Sequence, residues 1–405
     1  MKHIIVLGGG AGGMLAAIKA AEDKNVRVTL LEQMDRVGKK VLATGNGRCN
    51  LSNANIDSSC YFSENTKLAD QLVGICKEID VVGVFNKMGL LCEEKEMGRI
   101  YPKCAQASMV LDILLAQLER SKIEVKCGVS VCDIQKAKQG FVLRDKQGEK
   151  YTCDKLIVAC GGKASANLGS DGSCYPMLKK LGHRLTTLYP CLVPLKSDEK
   201  ALRALKGIRA VCGVNLYANG KFVAKEVGEV QFADYGLSGI PLMQLSCYCK
   251  NKEDMFVSID LFEETDEGAL AAMLFERRSR FYSESSDTLL LGTVNKRLAA
   301  ASVGHILKSL PKRIGDISDA QIISLAHGLK NWKVTVSGPL PYNRAQVTGG
   351  GIPLGEIDLY TMESRVCSGL YLCGEVLDMV GLCGGYNLHF AFATGILAGK
   401  NASKE

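Results

Sequence analysis

The chain has 405 residues, 47% hydrophobic and 23% charged, with 43 glycines, 9 prolines and a formal net charge of +7. That length predicts two or three domains. The missing Gly-X-Y period excludes a collagen-like chain, and the apolar content excludes disorder. The densest basic stretches, Arg277-Arg278-Ser279-Arg280 and Lys179-Lys180, form no long stripe, so no stable nucleic-acid partner is expected. The 17 scattered cysteines lack any Cys-x-x-Cys and suit a reducing, cytoplasmic compartment. The 5 histidines show no ligand spacing, so no metal is expected.

The first element is a short buried strand over residues 3–7. Gly8-Gly9-Gly10-Ala11-Gly12-Gly13 follows, then an Ala-rich helix over about residues 14–22 and a second strand over 27–31 that ends in Glu32. Strand, Gly-x-Gly-x-x-Gly, helix, strand and acid together make the dinucleotide fingerprint. Gly8 permits the tight turn, Gly10 lets a pyrophosphate approach the backbone, and Gly13 lets the helix pack on the sheet. The anion then meets free N–H groups at the helix N-terminus. Glu32 stands about 20 residues past the last glycine, the right distance for a ribose hydroxyl. Its carboxylate argues for an unphosphorylated ribose, as in FAD or NAD.

The polar, glycine-rich loop Gly38-Lys39-Lys40-Val41-Leu42-Ala43-Thr44-Gly45-Asn46-Gly47-Arg48-Cys49-Asn50 comes next. Four later stretches join it: Met97-Gly98-Arg99-Ile100-Tyr101-Pro102; Leu156-Ile157-Val158-Ala159-Cys160-Gly161-Gly162; Asp234-Tyr235-Gly236-Leu237-Ser238-Gly239; and Gly374-Glu375-Val376-Leu377-Asp378 with Gly384-Gly385-Tyr386-Asn387. On these motifs the whole chain resembles the BaiN/RdsA-type family of bacterial NAD(P)/FAD-dependent oxidoreductases. The resemblance implies an α/β fold with a discontinuous Rossmann-like FAD domain of the two-dinucleotide-binding type. Its boundaries are expected at residues 1–190 and 341–405. An inserted β substrate domain is expected at 191–262 and 331–340, with a helical cap at 263–330.

The resemblance also implies site residues. Lys39, Lys40, Thr44, Gly45, Asn46, Gly47, Arg48, Cys49 and Asn50 fall in the cofactor loop. Val131 matches the strand whose backbone meets the adenine. Gly161 ends a second strand-to-glycine turn, Gly374 a third. Glu375 takes the ribityl chain, and Asp378 the phosphates or the ribityl. Gly384, Gly385, Tyr386 and Asn387 open the last helix towards the flavin, where a helix N-terminus stabilises negative charge on the reduced ring. Gly349-Gly350-Gly351 offers bare backbone to flavin or substrate, or forms a hairpin turn. The Gly169-Ser170-Asp171-Gly172 loop is placed near the cofactor, with Asp171 a candidate base.

Three side chains are candidates for catalysis. Arg48 suits a pyrophosphate or a substrate oxyanion, Tyr101 a proton donor, and His389 either a substrate contact or a satisfied core histidine. Cys49 stands between a thiol at the flavin and a small buried residue. It has no partner at Cys-x-x-x-x-Cys spacing, so a disulfide reductase is not expected.

In the insertion, residues 211–223, 228–232 and 255–261 read as strands. Residues 267–329 turn helical, including 289–298, and Ser318-x-x-Gln321 matches a capping box. Residues 332–336 return as a strand. Such a cap would exclude water from a substrate pocket. The uncharged run 379–399 is long enough for a bilayer, but Gly381, Gly384, Gly385, Gly395 and Gly399 interrupt it. A loop and a buried helix are expected there, and no membrane segment.

The resemblance implies a small-molecule substrate. The leading expectation is reduction of an activated C=C, of the 3-oxo-Δ4/Δ6 steroid or bile-acid type, by reduced FAD with NAD(P)H as electron donor. An aminoacetone-like amine oxidase using O2 is the second, and an RNA- or protein-binding flavoprotein the third. Oligomeric state is left open.

Overall fold

The computed structural model describes residues 1–307 and 309–404. The chain divides into two units, Met1–Pro190 with Ala345–Glu405, and Cys191–Arg344.

The first unit is built on a five-stranded sheet. Its order is Leu370–Leu372, Lys155–Val158, Lys2–Leu7, Val26–Leu31, Glu124–Lys126, and all neighbours pair in parallel. Parallel strands covered on both faces read as unbroken apolar runs. That is why Ile4, Ile5, Val6 and Leu7 are all buried. A three-stranded antiparallel sheet, Val131–Lys136, Phe141–Asp145 and Lys150–Cys153, follows the fifth strand in the sheet order.

The first helix spans Ala11–Ala20, three residues earlier than the glycine run suggests. Gly12 and Gly13 lie inside it because it must touch backbone on two sides. A Cβ on Gly13 would stand 1.8 Å from the Gly8 carbonyl oxygen, and one on Gly12 would stand 2.9 Å from that of Ala391. The last helix, Tyr386–Ser403, meets the first in the same manner. Cβ atoms on Gly395 and Gly399 would stand 2.3 and 2.2 Å from the carbonyl oxygens of Gly12 and Ala16. The glycines in the long uncharged run thus let two helices pack backbone to backbone. No helix among the described residues is long and apolar enough to cross a membrane.

The second unit carries a seven-stranded antiparallel sheet centred on Met255–Asp260, Arg209–Ala218 and Lys221–Ala233. Asn219-Gly220 joins the last two as a two-residue turn with φ of 48° and 71°. Both values are positive, which only the Asn-Gly type of hairpin accepts readily. The helices Glu267–Arg280, Lys296–Ile306 and Asp319–Lys330 share a core with the sheet, in which Trp332 stacks on Phe232 at 5.9 Å. The Ser318/Gln321 capping box forms. The helical pattern over residues 289–298 does not become a helix there. Gly292 takes φ of 82°, and the helix begins only after Asn295, whose side chain accepts from the N–H groups of Arg297 and Leu298.

Candidate functional site

Four neighbouring parallel strands deliver their C-terminal ends to one edge of the first unit. Leu7 leads into Gly8, Leu31 into Glu32, Val158 into Gly161, and Leu372 into Gly374-Glu375. In open α/β sheets this edge is where ligands bind. Backbone bonds lock the turns together: Gly8 N donates to Leu31 O, and Ala159 N to Leu7 O, both at 2.8 Å. Gly8 needs its glycine, since φ is 107° and a Cβ would stand 2.5 Å from the Ala159 oxygen. The Glu32 carboxylate accepts from the N–H groups of Gly9 (2.7 Å) and Met34 (2.8 Å), so it first fixes the shape of the glycine loop. The buried Val131 opens its strand beside this corner, where Val129 N donates to Glu32 O at 2.9 Å. The loop holding Asp171 adjoins it too: Gln33 donates to Gly169 O at 2.7 Å.

Glu375 sits between two donors. Lys40 Nζ reaches one carboxylate oxygen at 2.6 Å, and Thr348 N the other at 2.9 Å. Thr348 Oγ1 in turn accepts from Lys163 N (2.7 Å) and Ala164 N (2.9 Å). This fully buried threonine was not singled out in the sequence, although it stands directly before the Gly349-Gly350-Gly351 cluster.

Residues 44–50 wind tightly, with positive φ at Gly45, Asn46, Gly47 and Cys49. Arg48 is exposed, with its guanidinium 5.5 Å from the Tyr101 ring centroid. A Cβ on Gly45 would stand 3.5 Å from that ring, so the structure brings Gly45, Arg48 and Tyr101 together. The C-terminal loop meets the same segment. Asn53 Nδ2 donates to Gly384 O at 2.9 Å, and a Cβ on Gly385 would stand 2.2 Å from Ser52 O. Asn387 shapes this loop by accepting from Gly381 N (2.8 Å) and donating to Gly381 O (2.7 Å). Tyr61 donates to Tyr386 O at 3.0 Å and packs edge-on against the Tyr386 ring.

Four expected site residues have their polar groups committed inside the chain. Cys49 is fully buried, and burial pushes its thiol up to about 12, so it is neither exposed nor a thiolate. Asp378 is 3% exposed and accepts from Glu64 N at 2.9 Å and Ser63 Oγ at 3.2 Å. Lys39 pairs with Asp35 one turn away. His389 is 4% exposed; its Nδ1 lies 2.8 Å from Ser52 Oγ and its Nε2 3.0 Å from Cys76 O. Burial lowers its pKa, against a smaller raising effect of the Cys76 carbonyl.

His389 is therefore a neutral brace between the last helix and two earlier segments. The unfolded chain protonates this imidazole first, so its contribution is complete above about pH 6.5 and fades as pH falls towards the lowered folded value. His389→Ala is expected to cost about 2–4 kcal/mol near pH 8 and less near pH 5, read by urea unfolding. A cost that stays constant over that range would contradict a neutral native imidazole.

Ser364, His183 and Glu356 also line up, with Ser364 Oγ 2.9 Å from Nε2 and Nδ1 2.8 Å from the carboxylate. The order is that of a hydrolytic relay. All three are buried, however, and Ser364 Oγ already accepts from Val366 N and Cys367 N. Arg184 completes the brace through Glu356 at 2.7 Å.

The residues fit a bound dinucleotide by two tests. First, among the described residues the buried Asn50 Oδ1 and Ser170 Oγ lack hydrogen-bond partners. They lie 2.8 Å and 2.9 Å from where Cβ atoms on Gly385 and Gly161 would stand, in the two loops assigned to the cofactor. A buried polar atom without a partner calls for one. Second, Gly10 and Gly47 face open space: a Cβ on either would meet nothing within 4 Å. Gly10 caps the first helix with ordinary extended backbone, φ −80°, so conformation does not demand its glycine.

Comparison with known proteins agrees with this frame. The model of the HI0933-like protein Rossmann domain matches residues 2–401. A 3-dehydro-bile acid delta(4,6)-reductase of Clostridium scindens is 36% identical, covering 100% of both chains. A ribosomal RNA dihydrouridine synthase of Escherichia coli is 30% identical, over 96% of this chain and 95% of its own. Among solved structures, the 3-ketosteroid-delta4-(5alpha)-dehydrogenase of Rhodococcus jostii RHA1 superposes with a TM-score of 0.51 at 14% identity. It covers 100% of this chain and 97% of its own, a likeness of fold. The chain belongs to the HI0933-like Rossmann family, an oxidoreductase built on the FAD-binding fold.

Proposed function

We propose that the protein is an FAD-dependent reductase of a C=C bond conjugated to a carbonyl. The substrate class is a 3-oxo-Δ4/Δ6 steroid or bile-acid-like enone, and NAD(P)H is the electron donor. The observation that carries this reading is the end-to-end 36% identity to a bile-acid delta(4,6)-reductase. Bound FAD would supply hydride from its reduced ring. The glycine loop over residues 8–13 would bind FAD, the open backbone at Gly10 and the N-terminus of the first helix holding the pyrophosphate, with Glu32 at the ribose and Glu375 with Lys40 at the ribityl chain. Arg48 and Tyr101 would bind the substrate carbonyl. Conjugation polarises the alkene, and donors at the oxygen stabilise the charge that gathers there as the β-carbon accepts hydride.

A second reading is favoured by the dihydrouridine synthase relatives, at 30% and 26% identity. Uridine carries a C=C conjugated to a ring carbonyl, so the same chemistry would act on a base in ribosomal RNA. The modest net charge of +7 lends it no further support. Anaerobic mixing tests both readings. The yellow protein is expected to bleach with NAD(P)H and to regain colour with a 3-oxo-Δ4 enone. Recovery only with a ribosomal RNA transcript would move the assignment to the second reading. Bleaching by an amine, with peroxide formed in air, would overturn both.

A further inference from the structure

We propose that Arg99 is a second guanidinium on the substrate carbonyl, acting with Arg48 and Tyr101 to hold the oxygen as an enolate; this rests on the enone reading above. Arg99 lies on the strand Arg99–Pro102, directly opposite Asn53 on Ser52–Asn53. Residues two apart on a strand share a face, as do directly paired ones. Arg99, Tyr101 and Asn53 are therefore side by side. Asn53 holds Gly384 and Arg48 lies over Tyr101, so this face adjoins both loops assigned to the flavin. Burial pushes the Tyr386 hydroxyl up, against a smaller lowering by the Arg99 charge.

Arg99 is half-buried, and among the described residues its guanidinium has no ion pair or hydrogen bond. The carboxylate across from Tyr101, Glu93, is committed to Lys95 at 2.6 Å. A half-buried arginine whose five N–H donors meet no protein partner can offer them to a ligand. The orphaned Asn50 Oδ1 lies beside Gly385, next along the same loop. The implied ligand has a neutral carbonyl that becomes anionic during reaction. Hydride bonds to the β-carbon, the C=C pair moves to form a bond between the α-carbon and the carbonyl carbon, and the carbonyl pair moves to oxygen. The enolate then takes a proton from solvent at the α-carbon, which restores the carbonyl. The two electrons come from reduced FAD, which NAD(P)H regenerates.

The test compares FAD-loaded wild type, Arg99→Gln and Arg99→Lys. Each is reduced with NAD(P)H and given a 3-oxo-Δ4 steroid. The oxidised protein is separately titrated with 4-chlorophenol, whose phenolate mimics the enolate, by flavin absorbance. Arg99→Gln is expected to lower kcat by about 100-fold, as loss of one oxyanion donor does. It should also weaken phenol binding at least ~10-fold. FAD retention and bleaching by NAD(P)H should stay within about twofold of wild type, and Arg99→Lys should recover part of both losses. If wild type turns over the steroid while Arg99→Gln matches it in kcat and phenol affinity, this proposal alone falls. If both variants lose FAD, Arg99 belongs to the cofactor site or the fold, and the proposal is overturned. If wild type bleaches with NAD(P)H yet no enone reoxidises it, the enone reading falls and takes this proposal with it.

Discussion

Gly10→Val is expected to give a folded protein that no longer retains FAD. The backbone at Gly10 is extended, and a Cβ there meets nothing within 4 Å, so valine neither strains the chain nor collides with it. Its methyl groups instead fill the approach to the N-terminus of the first helix, where the pyrophosphate would meet free N–H groups. Affinity should fall by at least ~100-fold, about 2.7 kcal/mol. Gly13→Ala is the control, because its Cβ would stand 1.8 Å from the Gly8 oxygen. Neither backbone segment can yield cheaply, so stability should drop by at least about 1–3 kcal/mol. The readouts are the FAD-to-protein ratio after gel filtration and the melting temperature. A Gly10→Val protein with stoichiometric FAD would refute the pyrophosphate assignment. So would a Gly10→Val protein destabilised as much as Gly13→Ala.

Glu375→Ala should weaken FAD binding by about 10–100-fold, the worth of a hydrogen bond to a charged group. It removes the carboxylate acceptor of Lys40, which keeps only the longer bond to Ala164 O at 3.3 Å, and the acceptor of Thr348 N at once, and the Lys40 side chain is only 25% exposed. Glu375→Gln keeps an acceptor for Thr348 but gives up the charge, so it should fall between wild type and alanine. Fluorescence titration of the apoprotein with FAD would rank the three. Equal affinity in all three would remove Glu375 from the site and leave it as a brace for the Thr348 turn.

The order of strand, glycine turn, helix and strand was legible because each rests on short-range chemistry. An apolar run of four residues makes a covered strand, and a glycine with positive φ makes a turn. The misplaced start of the first helix has a physical reason. Glycine is a poor helix former, yet Gly12 and Gly13 are helical because another backbone segment touches them. The helix expected over residues 289–298 forms only from Lys296: Leu289 and Leu290 serve the core from turns before Gly292, and Leu291 is exposed. The Asn219-Gly220 turn falls inside the run over residues 211–223 that reads as strand, because alternation of side chains continues on both sides of it.

The site divides along the same line. By itself the sequence determined the dinucleotide fingerprint, the acid at Glu32, the glycine-rich loop through Asn50 and the family likeness, all of them contiguous motifs. Only the tertiary structure decided which polar groups remain to be offered to a ligand. His389, Asp378 and Cys49 are spent on partners or burial that come from distant segments, such as Cys76 and Glu64. Arg99, Asn50 and Ser170 keep free donors or acceptors. A side chain's availability is set by what packs against it, and those neighbours lie far away along the chain.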